Sequence, residues 1–378
     1  MLEQRPQQRL SVPFLDLGPV HAGLKRDLLE DLAALIDSGT FTNGPHVEAF
    51  ERAFAAYCGR ARCVGVANGT DALRLALLAA AIDPGDEALV PANTFAATFE
   101  AVAQAGGVPV PVDVAETDYN LDPAAAAAAV GPRTRFLVPV HLYGQLADMA
   151  ALERVAGAAG LALLEDACQA HGARRDGRVA GGAGFAAAFS FYPGKNLGAF
   201  GDAGAVVLDD PALAAALRAL REHGQREKYR HLREGWTSRL DTLQALVLLR
   251  KLPLLDGWNA ERRAAAAAYG ELLDGVGDLR LPPVAPGSEP VWHLYPVGSG
   301  HRDPLAAFLR RRGIGVGLHY PEPPHLSAAY RHLGHRRGAF PVSERLADEL
   351  LSLPLFPGIA EAQLEAVADA VAAFFRRG

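Results

Sequence analysis

L161-A-L-L-E-D-A-C-Q-A-H-G172 decides how this chain of 378 residues folds. Four apolar residues run into two acids without the polar alternation of a half-exposed strand. Such a run suits a strand buried on both faces, as in a parallel sheet. Ahead of it, A147-D-M-A-A-L-E-R-V-A156 carries apolar residues at helical spacing, and behind it comes a second apolar run, A187-A-F-S-F191. Similar runs recur at 61–66, 87–90, 108–113, 135–140 and 204–208, with a helical pattern at D71-A-L-R-L-A-L-L-A-A80. Strand, helix and strand in this order predict an α/β fold with a mostly parallel sheet covered on both sides.

Past about residue 245 the pattern changes. A helical stretch from Leu243 to Leu273 is interrupted by Pro253 and Gly257. A Pro-rich connection (281–287), a strand-like W292-H-L-Y-P-V297 and two further helices are expected after it. This reads as a large domain over 1–250 and a smaller C-terminal α+β domain over 251–378.

Bulk properties narrow the function. Half the residues are hydrophobic, 21% are charged and the net charge is -6. A nucleic-acid binder would normally be basic, so that class is set aside. The opening MLEQRPQQRL lacks the apolar core of a signal peptide, and no run of about 18 apolar residues is present to cross a bilayer. A cytoplasmic protein is expected. Cys58, Cys63 and Cys168 are too few for a disulfide framework and lack zinc-type spacing, so no metal is expected.

The acids at 165 and 166 fall at the carboxyl end of their strand, the edge where open α/β sheets bind ligands. A carboxylate buried there needs a partner, which a protonated ring nitrogen or a structural salt bridge would equally supply. Further along stands F191-Y-P-G-K-N-L-G-A-F-G-D-A-G204. Of the 37 basic residues only four are lysines, at 25, 195, 228 and 251. Lys195, kept among glycines where the chain otherwise writes Arg, suggests nucleophilic chemistry that a guanidinium cannot perform. A third element, N68-G-T-D-A-L-R-L-A-L77, places a turn and a helix start just past a strand. Its free amides suit a phosphate, although a plain N-cap explains the motif as well when it is taken alone. G182-A-G-F-A-A187 matches a dinucleotide fingerprint, but a hairpin-like segment precedes it and a strand follows, so it is not read as one. The rigid loop L318-H-Y-P-E-P-P-H-L326 either brings His319 and Tyr320 to an anionic ligand or braces the small domain.

Lysine, acid and phosphate cradle, in this order, resemble the DegT/DnrJ/EryC1 family of nucleotide-sugar aminotransferases that depend on pyridoxal 5′-phosphate (PLP). The likeness runs from VPFLDL (12–17) to LSLPLFP (351–357). It implies PLP fold type I, the aspartate-aminotransferase fold, in a homodimer with shared active sites. It also implies that Lys195 links covalently to the cofactor and then shuttles protons, and that Asp166 holds the pyridine nitrogen protonated. Gln169 would bond the ring hydroxyl, Phe95 would stack on the ring, and Gly69, Thr70 and Ser190 would hold the phosphate. Tyr192, Lys228, His319 and Tyr320 would meet the substrate diphosphate.

Thr237 stands where the family commonly has an Asn that reaches the phosphate from the neighbouring subunit, and Phe185 stands where it often has Asp. A family branch with His in place of the lysine dehydrates sugars, and Lys195 argues against it. V140-H-L-Y-G-Q145 and H223-G-Q-R-E-K-Y229 look most like enzymes that aminate dTDP-3-keto-6-deoxysugars with L-glutamate through the pyridoxamine form. Amination at C4 of a dTDP-4-keto-6-deoxysugar is the alternative. A regulatory PLP-binding protein without turnover is a further reading, although no DNA-binding segment is visible to support it.

Overall fold

A computed structural model describes residues 11–376; the opening MLEQRPQQRL, read above for a leader, lies outside the described residues. All seven expected strands form one sheet: β1 (Arg62–Val66), β2 (Glu87–Pro91), β3 (Val108–Val112), β4 (Thr134–Leu137), β5 (Ala162–Asp166), β8 (Ala186–Ser190) and β9 (Gly204–Leu208). Between β5 and β8 a short hairpin intervenes, β6 (Arg174–Arg175) and β7 (Arg178–Val179), turning at Asp176-Gly177 with both φ positive. The sheet order is β1-β9-β8-β5-β4-β2-β3. Every neighbouring pair from β8 to β3 is parallel, and β9 is antiparallel to both β1 and β8.

Buried clusters fill both faces, one on the first side and two on the other, where Leu89, Val112, Leu137 and Leu163 form a separate group. The helix Gly69–Ala79 buries Leu73, Ala76 and Leu77 with Val64, Ala186, Ala188 and Val206. On the opposite side Phe50, Phe54, Phe189 and Phe191 pack edge-to-face, with ring centroids 4.9–5.3 Å apart between the two pairs. Small alanines on β8 let both layers approach the sheet closely.

Beyond residue 241 the long helical stretch breaks once. Thr242–Lys251 and Leu255–Leu273 are separated by a 3₁₀ turn at Leu252–Leu254, around Pro253. Gly257 does not interrupt it, contrary to expectation, because a glycine inside a helix costs only about 1 kcal/mol, whereas proline removes a hydrogen bond. After the exposed hairpin β10 (Gln225–Glu227) and β11 (Arg230–His231) and the short β12 (Ser288–Glu289), a second antiparallel pair forms from β13 (Tyr295–Gly298) and β14 (Leu350–Leu353). Three helices, not two, follow β13: Arg302–Arg311, Pro341–Glu349 and Glu361–Phe375. Arg302–Arg311 and Glu361–Phe375 close a separate core around Tyr269, Val297, Leu309 and Val367, into which Val12 also inserts, while Leu346 of Pro341–Glu349 packs with Val140, Tyr143 and Leu294.

Alternation along β5 separates its two acids. Glu165 turns away from the ligand edge into a fully buried niche. There it accepts hydrogen bonds from the amides of Gly181 (2.9 Å) and Ala183 (2.6 Å) and lies 2.7 Å from His141 Nε2. His141 Nδ1 accepts from the amide of Ala147, so its proton sits on Nε2 and points at Glu165. Glu165 thereby ties the hairpin segment and the β4 loop to the central strand. Glu165→Ala leaves these buried donors unpaired and is expected to cost about 1–3 kcal/mol per donor that finds no other partner, seen as a lower denaturant midpoint; an unchanged midpoint contradicts the role.

Candidate active site

At the carboxyl edge of the parallel strands lies a cavity of about 420 Å³. Its walls come from loops after β1, β2, β4, β5 and β8 and from the C-terminal part of the chain. Gly69, Thr70, Phe95, Asp166, Gln169, Ser190, Tyr192, Lys195, His319 and Tyr320 all border it. Ten residues singled out in the sequence thus converge from five separate segments. Lys228 is not among the lining residues: it sits on the exposed β10–β11 hairpin, its Nζ 5.2 Å from the ring of Tyr229. Thr237 lies near that hairpin's base, with Oγ1 3.3 Å from His223 Nε2. Phe185 packs partly buried near Phe136 and makes no contact with the cavity wall.

The Asp166 carboxylate is fixed before any ligand arrives. Oδ2 accepts from Thr98 Oγ1 at 2.8 Å, Oδ1 from the Cys168 amide at 3.2 Å, and Thr94 and Thr98 hydroxyls stand 2.9 Å apart. Thr98 escaped the sequence reading, since Thr94 lies before the helix Ala96–Gln104 and no periodicity joins the two threonines. Gln169 is held from both ends. Its Oε1 accepts the Tyr143 amide (2.8 Å) and its Nε2 donates to Tyr320 Oη (3.0 Å). One Nε2 hydrogen is left for a ligand hydroxyl. Phe95, half-exposed, tilts toward Tyr320 with ring centroids 5.3 Å apart and forms the outer lip.

Opposite Asp166, the helix Gly69–Ala79 begins at the cavity wall. Asn68 caps it by accepting the Asp71 amide at 2.8 Å, while the amides of Gly69 and Thr70 find no acceptor among the described residues. A Cβ at Gly69 would stand 2.6 Å from Ser190 Cβ, and one at Gly204 would stand 2.4 Å from the Asn68 carbonyl. Only glycine permits this approach, which sets the helix start and the Ser190 hydroxyl side by side.

Lys195 follows on a tight loop. Its carbonyl-side neighbour Asn196 donates to Asn259 Oδ1 (2.9 Å) and the Val291 carbonyl (2.8 Å), and Gln244 Oε1 accepts the Phe200 amide (2.8 Å). Burial holds the Lys195 ammonium below the ordinary lysine value, against the opposing pull of Cys168 and Asp166. The Cys168 thiol is pushed well up, chiefly by burial and then by Asp166, and stays protonated. His319 is lowered to about 4 by burial and Lys195 and is neutral near pH 7, its Nδ1 2.9 Å from Ser352 Oγ.

These features fit PLP, the cofactor that the sequence resemblance implies. A carboxylate faces the sheet edge, a desolvated amine lies near it, and a helix start with open amides sits across a glycine-narrowed gap. Arg262 and His293 also line the cavity, and the sequence reading had not singled them out.

Residues 23–372 match the DegT/DnrJ/EryC1/StrS aminotransferase family. The chain is 49% identical over 360 residues to a dTDP-3-amino-3,4,6-trideoxy-alpha-D-glucose transaminase of Streptomyces venezuelae, covering 95% of each chain. Among solved structures, S. venezuelae DesV in complex with a ketimine intermediate is similar with a TM-score of 0.95 and 48% identity, over 97% of this chain and 99% of that one. NtdA from Bacillus subtilis with bound cofactor PMP is similar with a TM-score of 0.91 and 30% identity, over 98% of this chain and 87% of that one.

Two outcomes test the site. Gly69→Ala forces the helix start off Ser190 at a cost of about 1–3 kcal/mol and weakens PLP retention in equilibrium dialysis; unchanged retention contradicts the cradle. Because burial favours the neutral amine, covalent capture of pyridoxal by the apoprotein, followed by absorbance, accelerates with a midpoint below the ordinary 10.5. A midpoint at or above that value contradicts the desolvated amine.

Proposed function

The chain belongs to the DegT/DnrJ/EryC1/StrS aminotransferase family, and from that premise we propose that it transfers an amino group from L-glutamate to the C3 keto group of a dTDP-linked keto-6-deoxysugar. The product is a dTDP-3-amino-deoxysugar. The carrying observation is the buried Lys195 amine in one cavity with the anchored Asp166 carboxylate and the open helix start at Gly69-Thr70. The naming of the S. venezuelae relative for a 3-amino sugar supports C3 over C4.

Bound in the cavity, PLP supplies an aldehyde for the incoming amine and an electron sink for cleavage of a Cα–H bond. The chain's residues supply the rest. Lys195 would hold the cofactor through its amine, whose neutral form burial favours, and once freed it would be the base that carries a proton to and from the donor carbon. Asp166, kept in place by Thr98, would hold a proton on the ring nitrogen. Gln169 would donate to the ring hydroxyl, Phe95 would cover the ring, and Gly69, Thr70 and Ser190 would donate to the phosphate. Glutamate would leave as 2-oxoglutarate with one water consumed, and the retained amine would pass to the keto sugar, its ketone oxygen leaving as water, with Lys195 moving the protons in the reverse order.

Tyr192, His319 and Tyr320 at the mouth are assigned to the sugar nucleotide. Lys228 joins them only from a neighbouring subunit, as does Thr237 toward the phosphate. A homodimer is supported by the exposed Phe41, Phe200, Tyr229 and Leu232, large apolar side chains on the surface. We place the enzyme in the cytoplasm, in keeping with its three free cysteines, with residues 1–250 carrying the cofactor and 251–378 forming the smaller domain.

Incubation with L-glutamate is expected to convert the yellow, lysine-linked cofactor to the pyridoxamine form. Offered dTDP-3-keto and dTDP-4-keto sugars in parallel, the enzyme is expected to aminate the 3-keto sugar. Turnover of the 4-keto sugar alone would overturn the C3 assignment, and no conversion with any amino donor would overturn the transaminase reading.

A further inference from the structure

Arg262 is the least explained charge in the cavity. It lies on the first half of the helix Leu255–Leu273, is 3% exposed, and lines the same cavity as Lys195. Its Nη1 donates to the carbonyls of Trp292 (3.0 Å) and Leu355 (2.9 Å). Nε is buried without an acceptor, Nη1 makes the hydrogen bonds that Arg262 has, and no carboxylate pairs with it among the described residues. Burying a guanidinium without a counter-charge is costly, and two carbonyl dipoles offset only part of that cost. Desolvation lowers Arg262 to about 10, so it remains a cation at neutral pH.

Its surroundings add no anion. His293, half-buried on the same wall, has Nδ1 3.3 Å from Asn196 Oδ1, beside Lys195. Burial holds His293 well below its usual value, and Lys195, Arg262 and His319 push it the same way, which places these groups in one electrostatic neighbourhood. The two acids on the cavity wall are engaged elsewhere or exposed: Asp166 accepts from Thr98 and Cys168, and Asp202 stands at the open rim. The phosphate cradle at Gly69, Thr70 and Ser190 belongs to the sheet-domain side of the cavity, whereas Arg262 comes from the C-terminal side. The cavity therefore holds a second anion-seeking position, with a planar donor fork suited to a carboxylate.

We propose that Arg262, with His293 beside it, is the subsite that receives a carboxylate of the amino-acid donor. The assignment rests on the aminotransferase reading, which requires a dianionic donor and a sugar nucleotide to use one cavity in turn. A carboxylate on the Nε edge would neutralise the buried cation during the donor half-reaction. The sugar nucleotide brings its own anion, a diphosphate, which makes it the competing source of negative charge.

The test compares Arg262→Gln and Arg262→Lys with the parent holoenzyme in separate half-reactions. Three quantities are read: the glutamate concentration that half-saturates cofactor conversion, the dTDP-keto-sugar concentration that half-saturates the return of the amine-loaded enzyme, and glutarate binding by calorimetry. Arg262→Gln is expected to raise the glutamate requirement and weaken glutarate about 10- to 100-fold, while the sugar requirement stays within about threefold. Arg262→Lys is expected to restore part of the glutamate affinity through its charge. Equal losses in both half-reactions would mean that Arg262 only braces the Trp292 and Leu355 loops, and a loss confined to the sugar side would give it to the diphosphate; either overturns the proposal. If the parent binds glutarate through Arg262 yet aminates no sugar, the sugar assignment fails and the carboxylate subsite stands.

Discussion

Desolvation of one amine is the constraint around which the rest of the structure is arranged. Lys195 can act as a nucleophile near neutral pH only if water is kept from its ammonium form. The protein achieves this by fixing the loop that carries it. Asn196 is tied to Asn259 and to the Val291 carbonyl, and the Phe200 amide is tied to Gln244. Lys251, 2% exposed, donates to the Gly198 carbonyl from the end of its helix. Burial lowers Lys251 to about 8, and its bond to Gly198 braces the loop that carries Lys195. The helices Thr242–Lys251 and Leu255–Leu273 thus clamp the loop at three points from one side.

Two adjacent acids show how strand geometry divides labour. Asp166 points to the ligand edge with both oxygens pre-set by Thr98 and the Cys168 amide. Glu165, one residue earlier, is directed to the opposite face and accepts from His141, Gly181 and Ala183. The alternating pleat forces this separation. The acid at the ligand edge is held rigidly because its neighbour fixes the strand they share.

Much of this was legible in the chain. The seven sheet strands could be read because each is a short, nearly continuous apolar run with a helical pattern or turn beside it. Lys195 stood out by its rarity and Asp166 by its place at a strand end. Other features were hidden for physical reasons. β14 in LSLPLFP is too short and too uniformly apolar to show a period, and it exists only because β13 pairs with it. Thr98 looks like any helix threonine until β5 is beside it. Arg262 sits next to Arg263 in a polar helical stretch, and only packing makes the first buried and the second half-buried. Lys228 had the right chemistry, but within one chain its hairpin projects into solvent and not into the cavity.

With only four lysines in the chain, the central claim has a discrete readout. Borohydride reduction of the PLP-loaded protein, followed by peptide mapping, fixes the cofactor to whichever amine holds it. The account predicts a single modified peptide, F191-Y-P-G-K-N-L-G198, labelled at Lys195. Label on Lys25, Lys228 or Lys251 instead, or no stable label in a protein that still transfers amines, would contradict it.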